Sequence, residues 1–265
     1  MGIINVTPDS FADGGLRLDT VKAVEDGLRM LEEGADILDV GGESTRPGAA
    51  PVSEDEELRR VLPVVEQLAA RGALVSIDTY KSGVAREAVA RGAQIVNDIS
   101  GLQYDDGLGR AVAETGAALV LMHNRGRSRD MYQQAAYSDV TGEIIRELGE
   151  SIERATRAGV SRDAIVVDPG VGFAKRALDS YAALATLDRL AELDRPVLSG
   201  PSRKSFLKAI TGDVPPAERD WATAGTVAAS VLLGAHIVRV HAVREMVQVV
   251  RAVDAILAAR ASSAL

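Results

Sequence analysis

Eight short apolar runs of the 265-residue chain end in, or carry, side chains able to do chemistry: Asn5, Asp39, Asp78, Asn97, His123, Asp168, Ser199, and the pair Arg239 and His241. The carboxylates Asp39, Asp78 and Asp168 would recognise a group rich in N–H donors, hold a metal, or stabilise positive charge. Asn97 offers a donor and an acceptor together, which suits the edge of a heterocycle. An amidine-like N–H/NH2 edge would pair bidentately with a carboxylate. No His-Glu-x-x-His spacing is present, so a dedicated zinc site is not expected. Oxygen ligands of the Asn/Asp type suit Mg2+, which binds through few protein groups plus substrate phosphates. The basic half is Ser202-Arg203-Lys204-Ser205, with Arg239 and His241 two residues apart and so on one face of a strand. Such a set fits an anionic leaving group or a phosphate. A single carboxylate at a strand end is more often a helix cap, but so many polar ends together describe a pocket.

The runs that must position these groups are Gly2–Val6, Asp36–Val40, Leu74–Asp78, Gln94–Asn97, Ala118–His123, Ala164–Asp168, Pro196–Ser199 and Ile237–His241. They are rich in Val, Ile and Leu, as parallel strands buried on both faces should be. Helical patterns lie between them, including Asp19–Glu33, Ser53–Arg71, Lys81–Arg91 and Thr141–Ala158, with Ser53 and Glu56 spaced as a capping box. Gly-Ala pairs at 34, 72, 92, 116 and 234 follow helices, where glycine belongs. Eight strands alternating with helices predict a single-domain α/β fold, a (β/α)8 TIM barrel over residues 1–265, with a doubly wound sheet as the alternative. In a barrel the strand ends converge on one mouth, where the active site sits. The long loops 7–18 and 41–51 read as lids over it. Asp168-Pro169-Gly170-Val171-Gly172-Phe173 forms a third mouth loop; it is not a P-loop, and Phe173 reads equally as core or as an aromatic ligand contact.

Composition removes several classes. The chain has no cysteine, which excludes disulfides, Cys-ligated zinc, iron–sulfur clusters and a thiol nucleophile. Its 30 Lys+Arg against 38 Asp+Glu leave a net charge of −8, unsuited to nucleic acid as a partner. The first eleven residues contain no Lys or Arg, so a secretory signal is not expected. Residues 221–238 carry no Asp, Glu, Lys or Arg, yet their small and hydroxylated residues predict a buried helix and a strand rather than a membrane span. The cytoplasm is the expected location.

The motifs MGIINVTPDSFADGG (1–15), DVGGESTRPGA (39–49), SIDTYK (76–81), NDISG (97–101), LMH (121–123), DPGVGF (168–173), SRKSFL (202–207) and RVH (239–241) resemble, in order, those of the dihydropteroate synthase family. The resemblance implies that p-aminobenzoate displaces pyrophosphate from 6-hydroxymethyl-7,8-dihydropterin diphosphate. It implies a pterin pocket of Asp39, Asp78, Asn97, Met122, Asp168 and Lys204. It implies a p-aminobenzoate pocket of Thr45, Arg46, Pro47, Phe173, Lys204 and Ser205. Asn5, Arg239 and His241 would bind pyrophosphate, with Mg2+ at Asn5, and Asp13 would face that site on loop closure. Catalysis would fall to Asp78, Lys204, Asp39, Asp13 and Arg239, with no covalent enzyme intermediate. Sulfonamides are expected as competitors, and a homodimer as the assembly. The family carries residues before the first strand, so a less covered barrel bottom or a truncated start is expected. Ala174-Lys175-Arg176 departs from the family's usual Gly/Ala-Lys-Thr, which touches only the support of the sixth loop. Two alternatives stay open: a pterin-dependent methyltransferase, which would not need Arg239, His241 and the 202–205 loop, and a non-catalytic pterin-binding paralogue.

Overall fold

The computed structural model describes residues 1–7, 16–45, 48–127, 131–133 and 135–262, with backbone alone for 16–19 and 131. The strands are β1 (Gly2–Asn5), β2 (Ile37–Gly41), β3 (Leu74–Asp78), β4 (Ile95–Asp98), β5 (Ala118–Met122), β6 (Ile165–Asp168), β7 (Leu198–Ser199) and β8 (Ile237–Val238). The helices are α1 (Leu16–Glu32), α2 (Glu54–Ala69), α3 (Ser82–Ala90), α4 (Leu108–Thr115), α5 (Val140–Arg157), α6 (Ala177–Ala185), the short α7 (Lys208–Thr211), α8 (Asp220–Leu232) and α9 (Val243–Ser262).

Strands β1 to β6 pair in parallel in sequence order, and β7 pairs with β8. Bridges from Val167 to Val197 and from Gly2 to Val240 join the two sheets at both edges, closing the TIM barrel. The β8 ladder is shorter than the predicted 237–241, but its pairing runs on: the Arg239 N–H donates to Ser199 O at 3.0 Å and the Val240 N–H to Met1 O at 3.0 Å. Closure leaves no exposed sheet edge among the described residues.

Side chains alternate across each strand. Leu38, Val40, Val75, Ile77, Leu119, Leu121, Ile165 and Val167 face the helices and form the main core with them. Met1, Val120 and Leu198 pack inside the barrel, with Ile37, Ile95, Val166 and Ile237 against them. The barrel bottom is therefore filled. One step further along, the inward positions are polar on β1, β2, β3, β4, β6 and after β8 (Asn5, Asp39, Asp78, Asn97, Asp168 and Arg239), with Met122 and Gly200 as the exceptions.

The predicted helix signals operate as written, with one change. The Ser53 hydroxyl accepts the Glu56 N–H at 3.3 Å and caps α2. The Glu56 carboxylate, however, goes to Arg59 and Arg60 rather than back to the cap. The five Gly-Ala glycines all adopt φ between 72° and 106°, the left-handed region that ends helices. Residues 221–238 form most of α8 and then β8, and among the described residues no helix is long and apolar enough to cross a membrane.

Candidate active site

Asp39 on β2 and Asp78 on β3 point into the barrel mouth, and Arg239 reaches both from β8. Its Nε donates to Asp39 Oδ2 at 2.6 Å and its Nη2 to Asp78 Oδ2 at 2.7 Å. Asn97 on β4 donates through Nδ2 to the same Asp39 oxygen at 2.9 Å. Asp39 is fully buried, and its Oδ1 has no hydrogen-bond partner among the described residues. A buried acceptor without a protein donor calls for a partner, and a ligand N–H would be one. Burial pushes Asp78 well above the ordinary carboxylate range; Arg239 opposes the rise and the neighbouring Asp39 charge adds to it. Arg239 was grouped by resemblance with the pyrophosphate set; its guanidinium here spans the carboxylate floor, so any anion would share it with Asp39 and Asp78.

Opposite that triad stand Asp168 and Lys204. Asp168 ends β6 beside Met122 of β5, and its Oδ1 accepts the Gly170 N–H at 2.7 Å. Burial raises its pKa, with Lys204 acting the other way. Lys204 lies just after β7, and its Nζ donates to Val171 O at 2.7 Å and sits 4.3 Å from the centre of the Phe173 ring. Burial lowers its pKa to about 8, Asp168 opposing, so it remains an ammonium at neutral pH. Gly200 separates the two: a Cβ there would lie 3.9 Å from Lys204 Nζ and 4.0 Å from Asp168 Oδ2. Absence of a side chain keeps this space open.

The rim is built from loops. Ser202 Oγ bonds to His241 Nδ1 at 3.0 Å and accepts the His241 N–H at 3.2 Å. Arg203 has φ of +57° and is held by a bidentate pair with Asp220 on α8 at 2.7 Å per bond; Arg219 Nη1 donates to its carbonyl at 3.0 Å. Those contacts turn the following residue, Lys204, into the mouth. Ser205 Oγ lies 3.1 Å from the Tyr132 hydroxyl. Asn5 ends β1 half-buried, and Thr45 is half-buried in the loop after β2. Asp13, Arg46 and Pro47 lie outside the described residues.

Two predicted mouth residues face elsewhere. His123 follows Met122, an inward position, so it points outward, its Nε2 3.0 Å from Glu147 Oε2 on α5. Ser199 precedes the inward Gly200 and bonds Ser230 of α8 at 2.9 Å. A polar strand end reaches the pocket only with the right parity.

The sequence reading passed over three contributors. Tyr132 bridges the fifth, sixth and seventh loops, its hydroxyl also donating to Gly172 O at 3.4 Å. Glu43 ties the second loop down, accepting from Tyr80 OH at 2.8 Å, Val52 N–H at 3.0 Å and Lys81 Nζ at 2.7 Å, while Lys81 also pairs with the buried Glu57. Lys175 is a buried lysine in the sixth loop. Glu43, Tyr80 and Lys81 stood inside quoted motifs, but their meeting needs β2 and β3 side by side.

No group of three or more His, Asp or Glu able to hold a metal exists among the described residues. Asn5 alone is not a cage. It does suit Mg2+ brought in with a diphosphate, whose oxygens would complete the shell.

With the site assembled, comparison with known proteins agrees. The family model described as pterin binding enzyme matches residues 1–241. The dihydropteroate synthase of Bacillus subtilis is 44% identical over 258 residues, covering 97% of this chain and 88% of the relative. The crystal structure of the Yersinia pestis dihydropteroate synthase with a sulfonamide drug complex superposes with a TM-score of 0.92 at 42% identity, over 97% of this chain and 94% of that one. The Xanthomonas albilineans dihydropteroate synthase with 4-aminobenzoic acid gives 0.91 at 44% identity, over 97% and 92%. A barrel whose mouth sets three carboxylates against an arginine and a lysine, matched over nearly its whole length, belongs to the pterin-binding enzyme family.

Proposed function

We infer that the protein catalyses the dihydropteroate synthase reaction, joining p-aminobenzoate to 6-hydroxymethyl-7,8-dihydropterin diphosphate with loss of pyrophosphate. The observation that carries this reading is the orphaned Asp39 Oδ1 on a floor shared with Asp78, Asn97 and Arg239, facing Asp168 and Lys204. A heterocycle with a row of N–H donors satisfies those acceptors.

The pterin methylene carbon loses its oxygen–carbon bond, the diphosphate leaving with the electron pair. Positive charge develops on the methylene and spreads into the ring. Asp39, Asp78 and Asp168 favour that charge over the neutral ground state, which is differential binding of the transition state. The p-aminobenzoate nitrogen then bonds to the methylene and releases its proton to solvent, with no strong protein base required. Asn5, His241 and Ser202 would receive the diphosphate. Mg2+ at Asn5, when bound, would supply neutralising charge on the leaving group. Phe173, Lys204, Ser205 and Thr45 would line the p-aminobenzoate site, with Arg46, Pro47 and Asp13 completing it from the first two loops.

Pyrophosphate release from the dihydropterin diphosphate with Mg2+ is expected to depend on p-aminobenzoate, and sulfonamides should compete with p-aminobenzoate in the same assay. Release that ignores p-aminobenzoate, or no release with pterin binding intact, would sink the synthase reading.

The 265 residues are proposed to act as one pterin-binding domain, in the reducing cytoplasm that a cysteine-free chain suits. A homodimer would cover the exposed Leu178, Ile210 and Trp221 on α6, α7 and α8. Light scattering should give twice the chain mass; a monomer mass would exclude the dimer.

A further inference from the structure

Lys175 is 1% exposed and lies within hydrogen-bond distance of four acceptors: His123 Nδ1 at 2.7 Å, Gly170 O and Phe173 O at 3.1 Å each, and His123 O at 3.4 Å. Among the described residues no carboxylate bonds to it. A lysine nitrogen buried on neutral acceptors alone is an expensive arrangement, and burial pushes its pKa down to about 7, with Asp168 opposing. Of the negative charges around it Asp168 acts most strongly, and Glu147 acts through the imidazole. Glu147 can only accept, so His123 Nε2 carries the hydrogen and Nδ1 presents its lone pair to the ammonium. Glu147 is itself held by Arg125.

The loop around this ammonium is bent to serve it. Gly170, Gly172 and Ala174 take φ of +65°, +78° and +46°. The alternation turns successive peptide units so that the Gly170 and Phe173 carbonyls point at one centre. Ala174 has no glycine freedom, and its conformation persists only while neighbouring contacts hold it. The same Gly170 donates its N–H to Asp168 Oδ1, and a Cβ on it would meet His123 O at 2.0 Å. Phe173 is the ring under Lys204.

We propose that Lys175 is a positioning residue for the reaction inferred above: by gathering the Gly170, Phe173 and His123 carbonyls and the His123 ring, it aims Asp168 at the pterin and Phe173 at p-aminobenzoate. Lys175 touches neither substrate; it acts through the Gly170 peptide and the Phe173 backbone. The proposal rests on the synthase reading and deepens it.

The test compares wild type, Lys175→Met and Lys175→Met/Ala174→Gly, the second change relieving the strain the lysine no longer offsets. Wild type must first show p-aminobenzoate-dependent pyrophosphate release; failure there defeats the synthase reading, not this step. Circular dichroism and melting establish folding. Calorimetry then measures 6-hydroxymethylpterin and pyrophosphate separately, and turnover gives KM for p-aminobenzoate. The expected result is a folded variant whose pterin affinity falls about 30-fold and whose KM for p-aminobenzoate rises about tenfold, magnitudes typical of an ångström-scale misplacement. Pyrophosphate affinity, proposed above to rest on Asn5, Ser202 and His241 away from this loop, should stay within about threefold. Unchanged pterin affinity, or equal weakening of both ligands, overturns the proposal. If neither variant folds, the ammonium supports the barrel rather than the site, and the proposal fails as well.

Discussion

Arg239→Met is expected to lower folding stability by about 3–5 kcal/mol at pH 7, because it strips the cation from two carboxylates that remain in the barrel. Asp39 is 0% exposed, and both its Oδ2 and that of Asp78 are bonded to this one guanidinium. Removing one partner of a buried ion network leaves the others uncompensated, which is worse than removing all of them. Arg239→Met/Asp39→Asn should therefore recover part of the loss. The effect should also shrink on acidification. Asp78 already binds its proton more tightly in the folded state than in the unfolded one, and losing Arg239 strengthens that preference. A carboxylate with a raised native pKa costs stability above that pKa and nothing below its unfolded value of about 4. The Asp78 part of the gap should accordingly close as pH falls through the wild-type native pKa of about 7, below which both native forms hold the proton. Urea titrations at several pH values measure it; a loss under about 1 kcal/mol at pH 7, or a gap that widens in acid, would show that the guanidinium does not hold the floor together.

Asp168→Asn should cost about 10²–10³-fold in turnover with little change in fold, the range seen when one preorganised electrostatic group is lost. The asparagine oxygen can still accept the Gly170 N–H that Oδ1 now takes at 2.7 Å, so the sixth loop keeps its shape. What changes is the other end of the group. An NH2 replaces an anionic acceptor facing the Gly200 gap and Lys204, where the pterin edge would donate. Both recognition of the ground state and stabilisation of the developing cation depend on that charge. Steady-state kinetics in both substrates, with the variant's melting curve alongside, read the effect. Retention of more than a tenth of wild-type turnover would remove Asp168 from the electrostatic floor.

Much of this molecule is readable from local pattern. Strands of Val, Ile and Leu bounded by Gly-Ala turns specify parallel β/α units, since burial on both faces demands apolar side chains and a helix end demands left-handed φ. Ser53 caps a helix in any context that lets the helix form. The positions of Asp39, Asp78, Asn97 and Asp168 at strand ends, and the order of the motifs that carry them, were equally visible along the chain. Tertiary structure alone decided which polar ends meet. His123 and Ser199 end apolar runs as convincingly as Asp78 does, yet they are one residue out of phase and point at helices, because side-chain direction has a period of two and its phase is set by the register of neighbouring strands. Arg239 lies 200 residues from Asp39 and 161 from Asp78, and only barrel closure through Gly2 and Val240 brings them within bonding distance. Nothing along the chain marks Lys175 for a role in the site. Two of its four acceptors belong to His123, 52 residues away along the chain, and the cost of burying its nitrogen is set by an environment that exists only once β5 and β6 lie side by side. Local propensity is a property of neighbours in the chain; the electrostatics of a pocket belongs to neighbours in space.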